Sequence, residues 1–78
     1  MKHRLTNKIR RLRFDHNEMT QQQLAELVGV TRQTIIALEA GKYTPSLTLA
    51  IKIARAFGVT VEEVFQYEDS KPPFRQPR

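Results

Sequence analysis

Along the chain, apolar residues recur every third or fourth position, in blocks closed by glycine or by short polar runs. That is a helical period. It predicts an all-α protein: a compact five-helix domain over residues 1–66, without strands, followed by a tail over 67–78. Leu5, Ile9 and Leu12 form one stripe and predict a first helix from Asn7 to His16, stopped by a left-handed Asn17. Thr20 opens the second helix, with Gln23 completing a capping box and Met19 placed before the cap as a hydrophobic staple. Leu24, Leu27 and Val28 form its inward stripe, Ala25 permits close approach of a neighbour, and Gly29 ends it. Val30 is expected to be buried in a short turn before the next cap, Thr31.

The third helix runs from Arg32 to Ala40, with Ile35 and Leu38 inward and Gly41 as its stop. After the loop "KYTPS", Ser46 caps a fourth helix. Leu47, Ala50, Ile51, Ala54 and Phe57 recur there at helical spacing, and Leu49 and Ile53 widen the stripe until Gly58. Thr60 and Glu63 make a second capping box ahead of a short fifth helix carrying Val61, Val64 and Phe65. The tail is proline-rich and aperiodic, and is expected to be disordered or associated with a dimer interface.

The turn between the second and third helices is too short for an antiparallel return, so the two helices must cross steeply. Once Ile35 and Leu38 face inward, the helical period puts Arg32, Gln33, Ile36, Ala37 and Ala40 outward. Solvated helices of this length usually carry Glu and Lys pairs. This face is instead polar at its start and small or apolar toward its end, which suits close approach to a surface.

Charge adds a direction. The net charge is +5. Lys2, Arg4, Lys8, Arg10, Arg11 and Arg13 crowd the start of the chain without an acid among them, whereas Glu62, Glu63, Glu68 and Asp69 cluster near its end. A basic chain suits nucleic acid, an anionic membrane or an acidic protein. The plainer reading of the basic run alone is a solvated helix face.

Other chemistry is thin. With no cysteine, disulfides and thiolate metal sites are excluded, and a reducing compartment, the cytoplasm, is expected. His3 and His16 have no ligand spacing around them, so no metal is expected. Thr31, Ser46 and Thr60 read as caps, Asp15 and His16 as mere neighbours, and no glycine-rich phosphate loop occurs. An enzyme is not expected, nor a cofactor, a small-molecule ligand or a membrane span.

The run "TQQQLAELVGVTRQTIIALEAGKYTPSLTLAIKIARAFGVTVEEVF" resembles the helix-turn-helix domains of the phage repressor, Cro and xenobiotic-response-element class, over roughly Asn7 to Phe65. Gln21, Leu24, Ala25, Gly29, Val30, Ile35, Glu39, Gly41, Pro45 and Leu47 match that pattern in order and spacing. The resemblance implies a lambda-repressor-like fold whose third helix enters the DNA major groove. It places Arg32, Gln33 and Ala37 at base-reading positions with Ile36 beside them, and Gln21, Lys42 and Tyr43 at phosphates. It also pairs Arg13 with Glu39 as an ion pair tying the first helix to the third. Ala40 departs from the polar residue many members carry there, and the segment "FDHNEM" is longer than in the phage repressors, so nothing is transferred to it.

Side-chain chemistry fits those roles independently. Arginine forks onto the two major-groove acceptors of guanine, and glutamine pairs with the donor and acceptor of adenine. The expected function is a sequence-specific DNA-binding transcriptional regulator, a repressor, acting as a homodimer through Phe65, Tyr67 and Phe74. Its operator should be an inverted repeat read by two helices about 34 Å apart. Two other uses of the same fold are a bridging module that binds an acidic protein and an antitoxin that represses its own operon.

Overall fold

A computed structural model of the protein describes residues 3–69. In order these are strand β1 (His3–Asn7), helices α1 (Ile9–Asp15), α2 (Gln21–Val28), α3 (Arg32–Glu39), α4 (Leu47–Phe57) and α5 (Val61–Val64), and strand β2 (Phe65–Asp69). The helices begin where side chains can satisfy their first free amides. Thr20 Oγ1 accepts from the Gln23 amide at 3.0 Å, while Gln23 Oε1 accepts from the Thr20 amide at 2.8 Å. Thr60 and Glu63 repeat this reciprocal pair, and Ser46 and Thr31 cap α4 and α3 singly. Each such cap stabilises its helix by about 1 kcal/mol.

Six side chains are almost wholly withdrawn from water: Ile9, Leu24, Ile35, Leu38, Ile53 and Val64. They come from every helix, so one core joins all five. Leu5, Leu12, Met19 and Val30 pack on its margin. Val30 is therefore half-buried rather than buried, because the turn that carries it lies at the surface.

Three apolar residues expected to point inward do not. Leu27 is 62% exposed, Leu47 73% and Ile51 39%. Leu24, Ala25 and Val28 fill the inward stripe of α2, and at about 100° per residue Leu27 lies more than a quarter-turn from its centre. In α4 the inward set is Leu49, Ala50, Ile53, Ala54 and Phe57, which leaves Leu47 and Ile51 on the far side.

The expected absence of strands is also corrected. β1 and β2 form an antiparallel ladder in the register His3↔Asp69, Arg4↔Glu68, Leu5↔Tyr67, Thr6↔Gln66 and Asn7↔Phe65. Thr6 Oγ1 also donates to the Gln66 carbonyl at 3.3 Å, across a sequence separation of 60 residues. The strand β2 carries the ordered fold past residue 66 to Asp69. The first helix consequently starts later than its apolar stripe suggests, since Asn7 belongs to the ladder. Asn7 Oδ1 accepts from the Ile9 amide at 3.1 Å, and its Nδ2 donates to the Leu38 carbonyl at 2.8 Å, tying the ribbon to the end of α3. At the other end of α1 the chain reverses through two left-handed residues, Asn17 (φ 60°) and Glu18 (φ 53°).

Candidate nucleic-acid interface

The geometry of α3 is set from its two ends. Gly29, at φ +79°, lets α2 stop abruptly, a conformation that is costly for a residue with a Cβ. The amides of Gly29 and Val30 both donate to the Ala25 carbonyl, at 2.8 and 3.0 Å, which fixes the turn against α2. Thr31 then caps α3 through the Thr34 amide. At the far end the Gly41 amide donates to Leu38 and the Lys42 amide to Ala37, closing the last turn.

Between those ends the inner and outer sides of α3 differ. Ile35 and Leu38 are sealed in the core. Arg32, Gln33 and Ala40 are exposed, and Ile36 and Ala37 lie half-buried beside them. Arg32 and Gln33 make no hydrogen bond or ion pair with the described residues. Two forked polar groups stand free at the start of the helix, above a patch of methyl and branched side chains. That combination supplies donors, an acceptor and apolar contacts in a strip one helix wide, as a major groove requires.

Glu39, the one acid of α3, is taken up inside. Arg13 Nε donates to Glu39 Oε2 at 2.6 Å and Arg13 Nη2 to Oε1 at 3.1 Å. The side chains are 15% and 11% exposed. Arg13 Nη1 donates to the Met19 carbonyl at 2.8 Å, and Gln21 Nε2 donates to Glu39 Oε1 at 3.1 Å. One carboxylate thus joins α1, the start of α2 and the end of α3, and its charge is compensated within the molecule. The bidentate fork holds both planes and adds strength beyond a single charge-assisted bond.

Gln21 is half-buried, with one of its amide hydrogens committed to Glu39. Lys42 and Tyr43 are exposed just beyond α3, with Tyr43 at 48%. Three aromatic residues are expected at a dimer interface. Phe65 is buried in the chain's own core, Tyr67 is 60% exposed, and Phe74 lies outside the described residues. Among the described residues, no group of metal-binding side chains occurs and no helix is long and apolar enough to cross a membrane.

Sequence reading missed two parts of this arrangement. The bond from Gln21 to Glu39 and the bond from Asn7 to the Leu38 carbonyl both depend on tertiary placement. The nearest available signal was that Asn7 precedes an apolar stripe, the position of an N-terminal cap.

A family model for helix-turn-helix domains matches residues 9–64. An uncharacterized helix-turn-helix-type transcriptional regulator of Methanocaldococcus jannaschii is 55% identical over 67 residues, covering 86% of this chain and all of that one. The Bacillus subtilis regulator YgzD, also uncharacterized, is 48% identical over 65 residues, 83% of this chain and 97% of its own. A transcriptional repressor of a cryptic phage in Vibrio cholerae is 34% identical over 59 residues, 76% of this chain and 52% of the repressor. Among solved structures, a protein from Bacteroides fragilis superposes with a TM-score of 0.68 at 26% identity, over 80% of this chain and 98% of the other. These likenesses cover the same segment that builds the capped α2, the tight turn and the outward face of α3. The protein therefore belongs to the helix-turn-helix family, as a short DNA-binding transcriptional regulator of the Cro and phage-repressor type.

Proposed function

We propose that the protein is a sequence-specific repressor that places α3 in the major groove and binds an inverted-repeat operator as a homodimer. The observation that carries this reading is the unpartnered pair Arg32 and Gln33 at the exposed start of α3. Arg32 reads guanine, Gln33 reads adenine, and Ile36 and Ala37 meet thymine methyl groups. Lys42, Tyr43 and the uncommitted part of the Gln21 amide hold the phosphates to either side, which fixes register without reading sequence. The Arg13–Glu39 pair keeps α3 at its angle to the rest of the domain.

Two considerations support the finer points. The phage relative from Vibrio cholerae is a transcriptional repressor. A single small domain reads few base pairs, and a two-fold dimer doubles the site and makes it palindromic. Tyr67, opposite Leu5 at the middle of the ribbon, is 60% exposed and belongs to the aromatic set assigned to that contact.

Selection of bound sequences from a random duplex pool tests the reading. The expected result is a palindromic consensus with half-sites one helical turn apart, together with a dimeric mass for the complex. A pool that stays random after repeated rounds would reject sequence-specific binding. A lone half-site with a monomeric complex would reject the dimer. Repression follows if the consensus overlaps a promoter and its occupancy lowers transcription in a purified system, and increased transcription would reverse the sign.

A further inference from the structure

The arginines of α1 have unequal fates. Arg11 Nε lies 3.2 Å from Asp15 Oδ2, one turn along the helix. Arg13 is locked to Glu39. Arg10, exposed, makes no hydrogen bond or ion pair with the described residues. It also stands in the first turn of a helix that has no acid there, where the partial positive charge of the free amides disfavours a cation.

Arg10 shares an open notch with Arg32, Gln21 and Gln22. The acids at this notch are Glu18 and Glu39, and Glu39 already holds Arg13 and Gln21. Two guanidinium groups with no partner of their own therefore face one recess, with Glu18 at its rim as the remaining carboxylate. Three arginines and two glutamates line the recess, a net positive balance that favours an anion from outside the chain. Arg32 lies at the start of the helix proposed to enter the groove, so the anion that reaches both is the phosphate chain bordering that groove.

We infer that Arg10 is a further DNA-contacting residue, which holds a backbone phosphate beside the N-terminal end of α3. This rests on the proposed entry of α3 into the major groove. It makes the phosphate contacts two-sided: Lys42 and Tyr43 act at the end of α3, and Arg10 with Gln21 at its start. Arg10 contributes affinity and orientation and carries no direct sequence information.

The test titrates full-length wild type, Arg10→Gln and Arg11→Gln against the selected operator and a random duplex at several salt concentrations. Arg10→Gln should weaken both duplexes by the same factor and make log affinity against log salt shallower by about one unit per half-site. Arg11→Gln should change the slope by less than half as much. The melting temperature of Arg10→Gln should equal or exceed that of wild type, because an unpartnered cation at an unfavourable helix end is removed. An unchanged slope for Arg10→Gln, equal slopes for the two variants, a loss confined to the operator or a lowered melting temperature would each overturn the assignment. Inorganic phosphate at fixed ionic strength separates a free anion from DNA. If it raises the melting temperature only when Arg10 is present while the DNA slope ignores Arg10, the recess serves free phosphate and the inference fails. A wild type that shows no operator preference would reject the proposed function, while the slopes on random duplex would still test Arg10.

Discussion

The two sides of α3 carry similar chemical groups under opposite rules. On the inner side, Glu39 spends its charge within the molecule, on Arg13 and Gln21. On the outer side, Arg32 and Gln33 have been left without internal partners. A polar side chain that completes its hydrogen bonds inside the fold adds rigidity and is unavailable for recognition. One that is left incomplete at the surface contributes little to stability and is ready for a ligand. The helix is little more than two turns long, yet both rules operate within its eight residues.

Glu39→Ala should produce the largest effect. It strands Arg13 in a poorly solvated place, and breaking such a pair costs about 3–5 kcal/mol when burial is complete. With the side chains 15% and 11% exposed, a loss of about 3 kcal/mol is expected from urea unfolding. The folded fraction should keep its operator preference. Unchanged stability with an altered consensus would place Glu39 on the reading side.

Arg32→Ala should show the reverse pattern. Its unfolding free energy should stay within about 0.5 kcal/mol of wild type, as for surface substitutions without internal partners. Discrimination at one base pair per half-site should fall by about 1–3 kcal/mol, measured by competition between operator variants. If operator and random duplex weakened equally with a shallower salt slope, Arg32 would be a phosphate clamp and the outer side would lose its reader.

Thr31 stands between the two sides, at the cap of α3. Thr31→Ala should lower stability by about 1 kcal/mol in thermal unfolding. Discrimination should be unchanged. A loss of discrimination at temperatures where the protein remains folded would show that the cap also aims the reading residues. Lys42→Ala should have the smallest effect on the fold and none on base preference. It should weaken every duplex alike and reduce the salt slope by about one unit per half-site. A change in consensus would move Lys42 into the groove.

The sequence was most readable where structure is decided within four residues. Thr20 with Gln23, Thr31, Ser46, and Thr60 with Glu63 announce helix starts because the donor and acceptor are neighbours in the chain. The outward face of α3 followed from Ile35 and Leu38 for the same reason. Leu27, Leu47 and Ile51 misled because a helical repeat shows which residues share a flank, whereas the neighbouring helices decide which flank faces in. The ribbon was easily overlooked: residues 65–68 alternate apolar and polar, but over only four positions, and HRLTN shows no such alternation, so each becomes a strand through the other. Phe65 was expected on the fifth helix and at a dimer interface; the change from α5 to β2 places it in the chain's own core.

That ribbon also imposes an order of events on the chain. Its first and last described residues, His3 and Asp69, are opposite one another in the ladder, so nearly the whole domain is the loop between them. Closing a flexible loop of that size costs on the order of 3–4 kcal/mol in chain entropy, more than two short strands supply by themselves. The helices must therefore condense first, shortening the loop until the ends are near, and the strands zip afterwards. Unfolding follows the same path in reverse. The strand amides should exchange with solvent before those of the core helices, which native-state hydrogen exchange would show, with the clasp opening while α2 and α3 still hold their crossing.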